Sequence, residues 1–204
     1  MLYAIGKSLS QMVARFFGRY RVIGRENIPS KGGVLLCGNH VSYIDPPVLG
    51  AGATRPVHFM AKLELFQIPV LGFLIKNVGA FPVRQHMADR TALKTAIEYL
   101  EKGEVVGMFP EGTRIMTGQL GEALPGVGMI VLRAKVPVIP VALINTNKLF
   151  PPHSAFFKFT RVKVIYGKPV ELDDLYEKSG REAVDEVGKR IMAAIGELIE
   201  KHRE

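Results

Sequence analysis

Between residues 2 and 20, apolar side chains recur at steps of three and four: Leu2, Ile5, Leu9, Met12, Val13, Phe16, Phe17 and Tyr20. That period predicts an amphipathic helix, with Lys7, Gln11 and Arg15 spaced four apart on its other side. Such a helix has two uses, and both stay open here. It packs its apolar face on the domain core, or it lies in a membrane interface with its basic residues near lipid phosphates. After residue 20 the pattern changes. Short apolar and β-branched runs at 21–24, 33–37, 57–60, 80–83, 105–109, 138–143 and 161–166 read as strands. Helical patterns lie between and after them, at 46–52, 63–76 with a break near Pro69, 87–102, 126–135 and 181–202. In the two longest, Leu93, Ile97 and Leu100 share one face, as do Val184, Val187, Ile191, Ile195 and Leu198.

This alternation predicts a single α/β domain over residues 21–204: a largely parallel or mixed sheet flanked by helices, preceded by the amphipathic helix of residues 1–20. Ligands of such sheets gather at the carboxyl ends of the strands. Three strand ends carry candidate chemistry, at 39–45, at Arg84 and at 110–114.

Composition narrows the picture only in places. A length of 204 residues suits one domain, and the scattered glycines and prolines mark no linker. The single Cys37 excludes an internal disulfide and a cysteine-based zinc site. No secretory signal opens the chain, and Lys7 and Arg15 interrupt the first helix well short of the roughly 18 apolar residues that span a bilayer. The net charge of +8 is unevenly placed: +5 through residue 31, −4 over residues 171–204, and +7 between. A basic front and middle suit a polyanion, whether nucleic acid, anionic lipid or a phosphorylated substrate, although charge alone says no more than a solvated surface. No helix-turn-helix, RNP-like strand or zinc spacing accompanies it, so nucleic acid is not expected.

Residues 39–45 read NHVSYID, followed by Pro46 and Pro47. Asp45 before two prolines is a ready helix N-cap, and His40 a polar residue at a strand end. The same placement permits catalysis. With a helix beginning at Asp45, His40 lies in the preceding loop and can fold back on it. A carboxylate on one imidazole nitrogen fixes the tautomer and frees the other nitrogen as a base. Ser42 lacks the G-x-S-x-G elbow of a nucleophile, and Cys37 sits mid-strand as a small buried hydrophobe. The hydroxyl that such a base would serve then belongs to a substrate. Further on, Pro110 and Gly112 fit the second and fourth places of a type I turn that presents Glu111 and Arg114. With Lys62 and Arg84 at other strand ends, three cations point to one anion site, arginine offering bidentate geometry for phosphate. Neither a Walker loop nor a dinucleotide-binding glycine pattern is present in the sequence.

On four ordered blocks the chain resembles the membrane-associated glycerolipid acyltransferases. The blocks are Asn39-His40-Val41-Ser42-Tyr43-Ile44-Asp45, similar to N-H-x-x-x-x-D; Gly79 to Arg84; the intact F-P-E-G-T-R of Phe109 to Arg114; and Val136-Pro137-Val138-Ile139-Pro140. The likeness runs from about Val22 to Val170. It implies a peripheral or monotopic enzyme at the cytoplasmic face of a membrane with anionic lipid. Such an enzyme transfers a fatty acyl group from acyl-CoA or acyl carrier protein to the sn-2 hydroxyl of a lysophospholipid, 1-acylglycerol-3-phosphate, or to a related acceptor. Neither a metal nor a cofactor is implied, and no covalent acyl-enzyme. The resemblance makes His40 the base and Asp45 its orienter. Lys62, Arg84, Glu111, Gly112, Thr113 and Arg114 hold the acceptor phosphate, while Asn39, Pro137 and Pro140 support the site.

Overall fold

The structure is a computed structural model that describes residues 2–84, 89–115, 119–152, 154 and 156–203, the side chains of residues 2–5 and of Leu9 excepted. Every stretch expected as a strand pairs into one sheet: β1 (Arg21–Ile23), β2 (Val34–Gly38), β3 (Val57–Lys62), β4 (Phe81–Val83), β5 (Val105–Met108), β6 (Val138–Ile144) and β7 (Lys163–Tyr166). Their order across the sheet is β1-β7-β6-β2-β5-β3-β4. From β6 to β4 all neighbours are parallel; β7 runs antiparallel to β6, with β1 parallel to β7. The sheet is therefore mixed. Strands β2, β5 and β6 are buried at every residue, which is why they read as unbroken apolar runs rather than alternations.

The helices are α1 (Leu2–Gly18), α2 (Asp45–Gly52), α3 (Pro69–Asn77), α4 (Arg90–Glu101), α5 (Pro125–Ala134), the single turn α6 (Thr146–Leu149) and α7 (Arg181–His202). The helix expected over 63–76 divides at Pro69, which holds Ile68 extended between a 3₁₀ turn, Leu63–Gln67, and α3. The expected start of α4 at Met87 lies outside the described residues; Asp89 caps that helix, accepting from the N–H groups of Thr91 and Ala92. One face of the sheet is covered by α4, α5 and α7, through Ala96, Leu100, Ile130 and Ile191 against Leu35 and Val106. Here α5 approaches α7 so closely that a Cβ on Gly128 would collide with the carbonyl of Val184. The other face carries α2, through Val48 and Leu49 against Leu36, Ile139 and Tyr166.

Helix α1 packs on α2 and turns polar as well as apolar side chains to the domain, Phe17 and the following Tyr20 packing against the core. Lys7 Nζ donates to the Ala53 carbonyl at 2.6 Å and Gln11 Nε2 to that of Ala51 at 2.7 Å. Tyr20 and Tyr166 donate their hydroxyls to Val48 and Leu49 at 2.8 and 2.5 Å. A helix end leaves its last carbonyls without partners, and these four donors fill that deficit along the last turn of α2. Burial at the contact lowers the Lys7 pKa, with Arg25 adding to the effect. Lys7 and Gln11, grouped by spacing with the solvent side, thus face the domain, whereas Met12 and Phe16 stay exposed.

The two prolines expected to shape the strand beside the site lie in and just before β6, the neighbour of β2. Pro140 pairs with Cys37 in β6, and Pro137 precedes that strand, so both belong to its amino-terminal half. A proline inside a sheet normally leaves a gap in the ladder. Pro140 leaves none, because its carbonyl turns to Gly167 (N···O 2.8 Å), one residue past the end of β7. Its missing N–H faces a place where β6 is locally an edge.

Candidate active site

Strand β2 ends at Gly38, and residues 39–44 form the loop that leads into α2. Asn39, 4% exposed, continues the sheet with its side chain: Nδ2 donates to the Leu143 carbonyl at 3.1 Å and Oδ1 accepts from the Leu143 N–H at 2.8 Å. The next residue, His40, is tied through its backbone to the end of β5. Its N–H donates to Glu111 Oε2 at 2.7 Å and its carbonyl accepts from Ile115 N–H at 2.8 Å.

Asp45 is fully buried, and a single oxygen, Oδ2, accepts from Val41 N–H (2.7 Å), Ser42 N–H (2.7 Å) and His40 Nδ1 (2.8 Å). The cap expectation is corrected here. Ile44 occupies the N-cap position, and the Asp45 carboxylate turns back to the loop before it instead of onward to helical N–H groups. An ionised carboxylate only accepts, so Nδ1 of His40 carries the hydrogen and Nε2 keeps its lone pair. No described residue hydrogen-bonds Nε2. The imidazole lies flat on Phe109, with ring centroids 4.1 Å apart and planes 18° from parallel, and Phe109 in turn lies nearly parallel to Phe59. Held along one edge and one face, the ring is 17% exposed and opens to the surface.

The turn after β5 forms as expected, closed by Gly112 N–H to the Phe109 carbonyl at 3.0 Å. Gly112 is in the left-handed region (φ 67°), where a Cβ would also strike Leu124. Glu111 departs from its expected role as a phosphate ligand. It is buried, with Oε2 on the His40 N–H and Oε1 on the Gly121 N–H at 2.8 Å, so its carboxylate clamps three chain segments and would repel an anion. Gly112 and Thr113 are exposed on the turn. Arg114 lays its guanidinium over Tyr43, 3.3 Å from the ring centroid, and pairs with no carboxylate among the described residues.

Lys62 and Arg84 stand at the carboxyl ends of β3 and β4, on the same edge of the sheet as His40 and Arg114. Lys62 Nζ is 3.8 Å from Glu64, and exposed Arg84 donates its backbone N–H to Asp89 at 2.9 Å. Strands spaced about 4.8 Å apart put β4 roughly 14 Å from β2. The structure thus brings His40, Asp45 and Arg114 together, with Lys62 and Arg84 further along the same edge of the sheet. The rival nucleophiles are both withdrawn: Ser42 is buried, and burial pushes the Cys37 thiol far up from its ordinary pKa. Tyr43 and Phe109 carry parts in the site that residue spacing does not reveal. Phe109 reads simply as the end of an apolar strand, and Tyr43 as one aromatic in a polar loop.

Residues 19–144 match the family model described as Acyltransferase. The chain is 29% identical over 201 residues to the 1-acyl-sn-glycerol-3-phosphate acyltransferase of Bacillus subtilis (strain 168), covering 98% of each. It is 32% identical over 159 residues to the chloroplastic 1-acyl-sn-glycerol-3-phosphate acyltransferase LPAT1 of Arabidopsis thaliana, covering 76% of this chain and 44% of that one. Among solved structures it is similar to the 1-acyl-sn-glycerophosphate (LPA) acyltransferase PlsC from Thermotoga maritima, with a TM-score of 0.80 and 27% identity over 98% of this chain and 80% of that one.

Proposed function

The chain belongs to the acyltransferase family, and from that premise we propose that it moves a fatty acyl group from a thioester donor to the free sn-2 hydroxyl of 1-acylglycerol-3-phosphate, giving phosphatidate. The donor is acyl-CoA or acyl carrier protein. The observation that carries this reading is the oriented His40–Asp45 pair, whose free Nε2 opens beside an unpaired guanidinium, that of Arg114. His40 takes the proton of the acceptor hydroxyl as its oxygen attacks the thioester carbonyl. The new ester bond forms as the carbon–sulfur bond breaks, and the imidazolium returns the proton to the departing thiolate. The buried Asp45 carboxylate faces the imidazolium during that interval and holds its tautomer. Arg114, with Lys62 and Arg84 further along the same sheet edge, holds the acceptor's phosphate.

An acceptor with a charged head and an apolar tail calls for a site at a lipid surface. Supporting this, Phe16 of α1 and Phe159 hold exposed rings 5.9 Å apart, Phe156 and Met12 are exposed as well, and Arg15, Arg19, Lys158 and Arg161 lie close in sequence. Apolar side chains ringed by cations suit the interface of an anionic membrane. No described helix is long and apolar enough to cross one; the attachment proposed is peripheral. The test is a donor-by-acceptor assay on purified protein with His40→Ala alongside. Transfer to 1-acylglycerol-3-phosphate that His40→Ala abolishes is the expected result. An active His40→Ala enzyme overturns the base assignment, and preference for an acceptor without phosphate overturns the acceptor.

A further inference from the structure

Nearly every residue of the loop 39–45 is fastened to something. Asn39 holds Leu143; His40 holds Glu111, Ile115 and Asp45; Val41 and Ser42 hold Asp45; and the Ser42 hydroxyl reaches the Phe150 carbonyl. Tyr43 is different. Its side chain is 63% exposed although it stands at the centre of the loop, and its ring makes one specific contact, the guanidinium of Arg114.

The form of that contact matters. A carboxylate would fix Arg114 by consuming two of its N–H donors and neutralising its charge. An aromatic face fixes the guanidinium plane through the ring quadrupole and spends neither. The five N–H donors of the guanidinium are left for an incoming anion, none of them spent on a carboxylate among the described residues. The same contact ties the loop that carries the base to the turn that carries the cation, so hydroxyl and phosphate of one acceptor would be gripped in fixed relation.

We propose that Tyr43 is a positioning residue for the acceptor's phosphate, acting through the Arg114 guanidinium. The proposal rests on the acceptor reading above. Removing the ring frees an arginine side chain that must then be ordered by each incoming acceptor, so the cost falls on acceptor KM. Neither kcat nor the KM of the acyl donor depends on it.

The test is steady-state kinetics on membrane-reconstituted enzyme with 1-acylglycerol-3-phosphate as acceptor, for Tyr43→Ala, Tyr43→Phe, Arg114→Ala and the double variant Tyr43→Ala/Arg114→Ala. Tyr43→Ala is expected to raise acceptor KM about three- to sixfold, the scale of one exposed cation–π contact. Its kcat and donor KM stay within about twofold, and Tyr43→Phe restores the acceptor KM because it keeps the ring. In the Arg114→Ala background the Tyr43→Ala change adds nothing. The high exposure of Tyr43 lets the variant fold, which a thermal melt checks. If Arg114→Ala raises acceptor KM and Tyr43→Ala does not, or if their effects add fully, the positioning role is wrong. If Arg114→Ala itself leaves acceptor KM unchanged, the phosphate reading fails first and takes this proposal with it.

Discussion

Replacing Glu111 by glutamine separates the clamp read from the structure from the phosphate ligand read from the sequence. The glutamate accepts one backbone N–H on each oxygen, His40 on Oε2 and Gly121 on Oε1, and it is buried. Glutamine has nearly the same shape but can offer an acceptor to only one of those groups, and it turns an NH₂ donor towards the other. One charge-assisted hydrogen bond is lost and two donors meet in a dry place, which costs about 3 kcal/mol. In a chain of this size that lowers the melting temperature by roughly 6–12 °C. The strain is relieved most cheaply by moving the His40 main chain, and a displacement near 1 Å at a catalytic group lowers turnover on the order of a hundredfold. Acceptor KM, which the proposed function assigns to Arg114 and its neighbours, should change by less than about threefold, since on that reading no hydrogen bond to substrate is removed. A thermal melt and steady-state kinetics on the purified variant read all three quantities. A Glu111→Gln enzyme with normal melting and turnover but a weakened acceptor KM would refute the clamp, because the carboxylate would then have to face the substrate.

Asp45→Asn should keep acceptor KM while kcat falls about a thousandfold, or about 4 kcal/mol, since the amide can hold the loop N–H groups but not the charge opposite the imidazolium; pre-steady-state and steady-state rates check it. Cys37 should resist a thiol reagent at pH 8 until denaturant exposes it, because burial pushes its pKa up, and Cys37→Ala should retain transfer. At Asp89, backbone hydrogen bonds from Arg84 and Ala92 lead the causes that hold the carboxyl below its ordinary 3.8. Its folded pKa lies below its unfolded one, so its stabilisation is full above pH 4 and is lost as pH falls through the folded value. Urea midpoints of wild type and Asp89→Ala should therefore differ at pH 7, and the gap should narrow as pH falls below 3.8.

The central strands β2, β5 and β6 were legible because they are short, doubly buried runs whose apolar content no loop would tolerate. The strand ends then marked the site, since parallel neighbours must all deliver their carboxyl ends to one edge. What spacing could not show was direction. Asp45 and Glu111 occupy the expected positions, yet both carboxylates point at backbone N–H groups, and that depends on how the loop 39–44 folds over the turn 109–112. Periodicity sorts side chains by polarity, whereas the surface under α1 includes the end of a helix, rich in unpaired carbonyls, so Lys7 and Gln11 face it while Phe17 packs on the core. Pro137 and Pro140 lie in and before the first half of β6, the strand beside β2, where Pro140 pairs with Cys37.

The four blocks lie at β2, β4, β5 and β6 in chain order, but the sheet sets those strands in the order β6, β2, β5, β4, with β3 between the last two. This rearrangement gathers the carboxyl ends of β2, β5, β3 and β4 along one edge. The chain leaves β2 through α2, takes up β3 and β4 on one side, then returns through α4 to lay β5 between β2 and β3. The turn 109–112 is thereby inserted between the base on β2 and the cations on β3 and β4. From that position its backbone and Glu111 can brace His40 while Arg114 reaches forward to Tyr43. Strand β6 closes the other flank, where Leu143 receives Asn39. Behind Asp45, the carbonyls of α2 are held by α1 and by Tyr166 of β7. The imidazole is thus held by two side chains, the Asp45 carboxylate and the Phe109 ring, while the His40 backbone is pinned to Glu111 and Ile115. Nε2 of His40 and the N–H donors of Arg114, which have no hydrogen-bond partner among the described residues, are the groups that the hydroxyl and the phosphate of the proposed acceptor would meet.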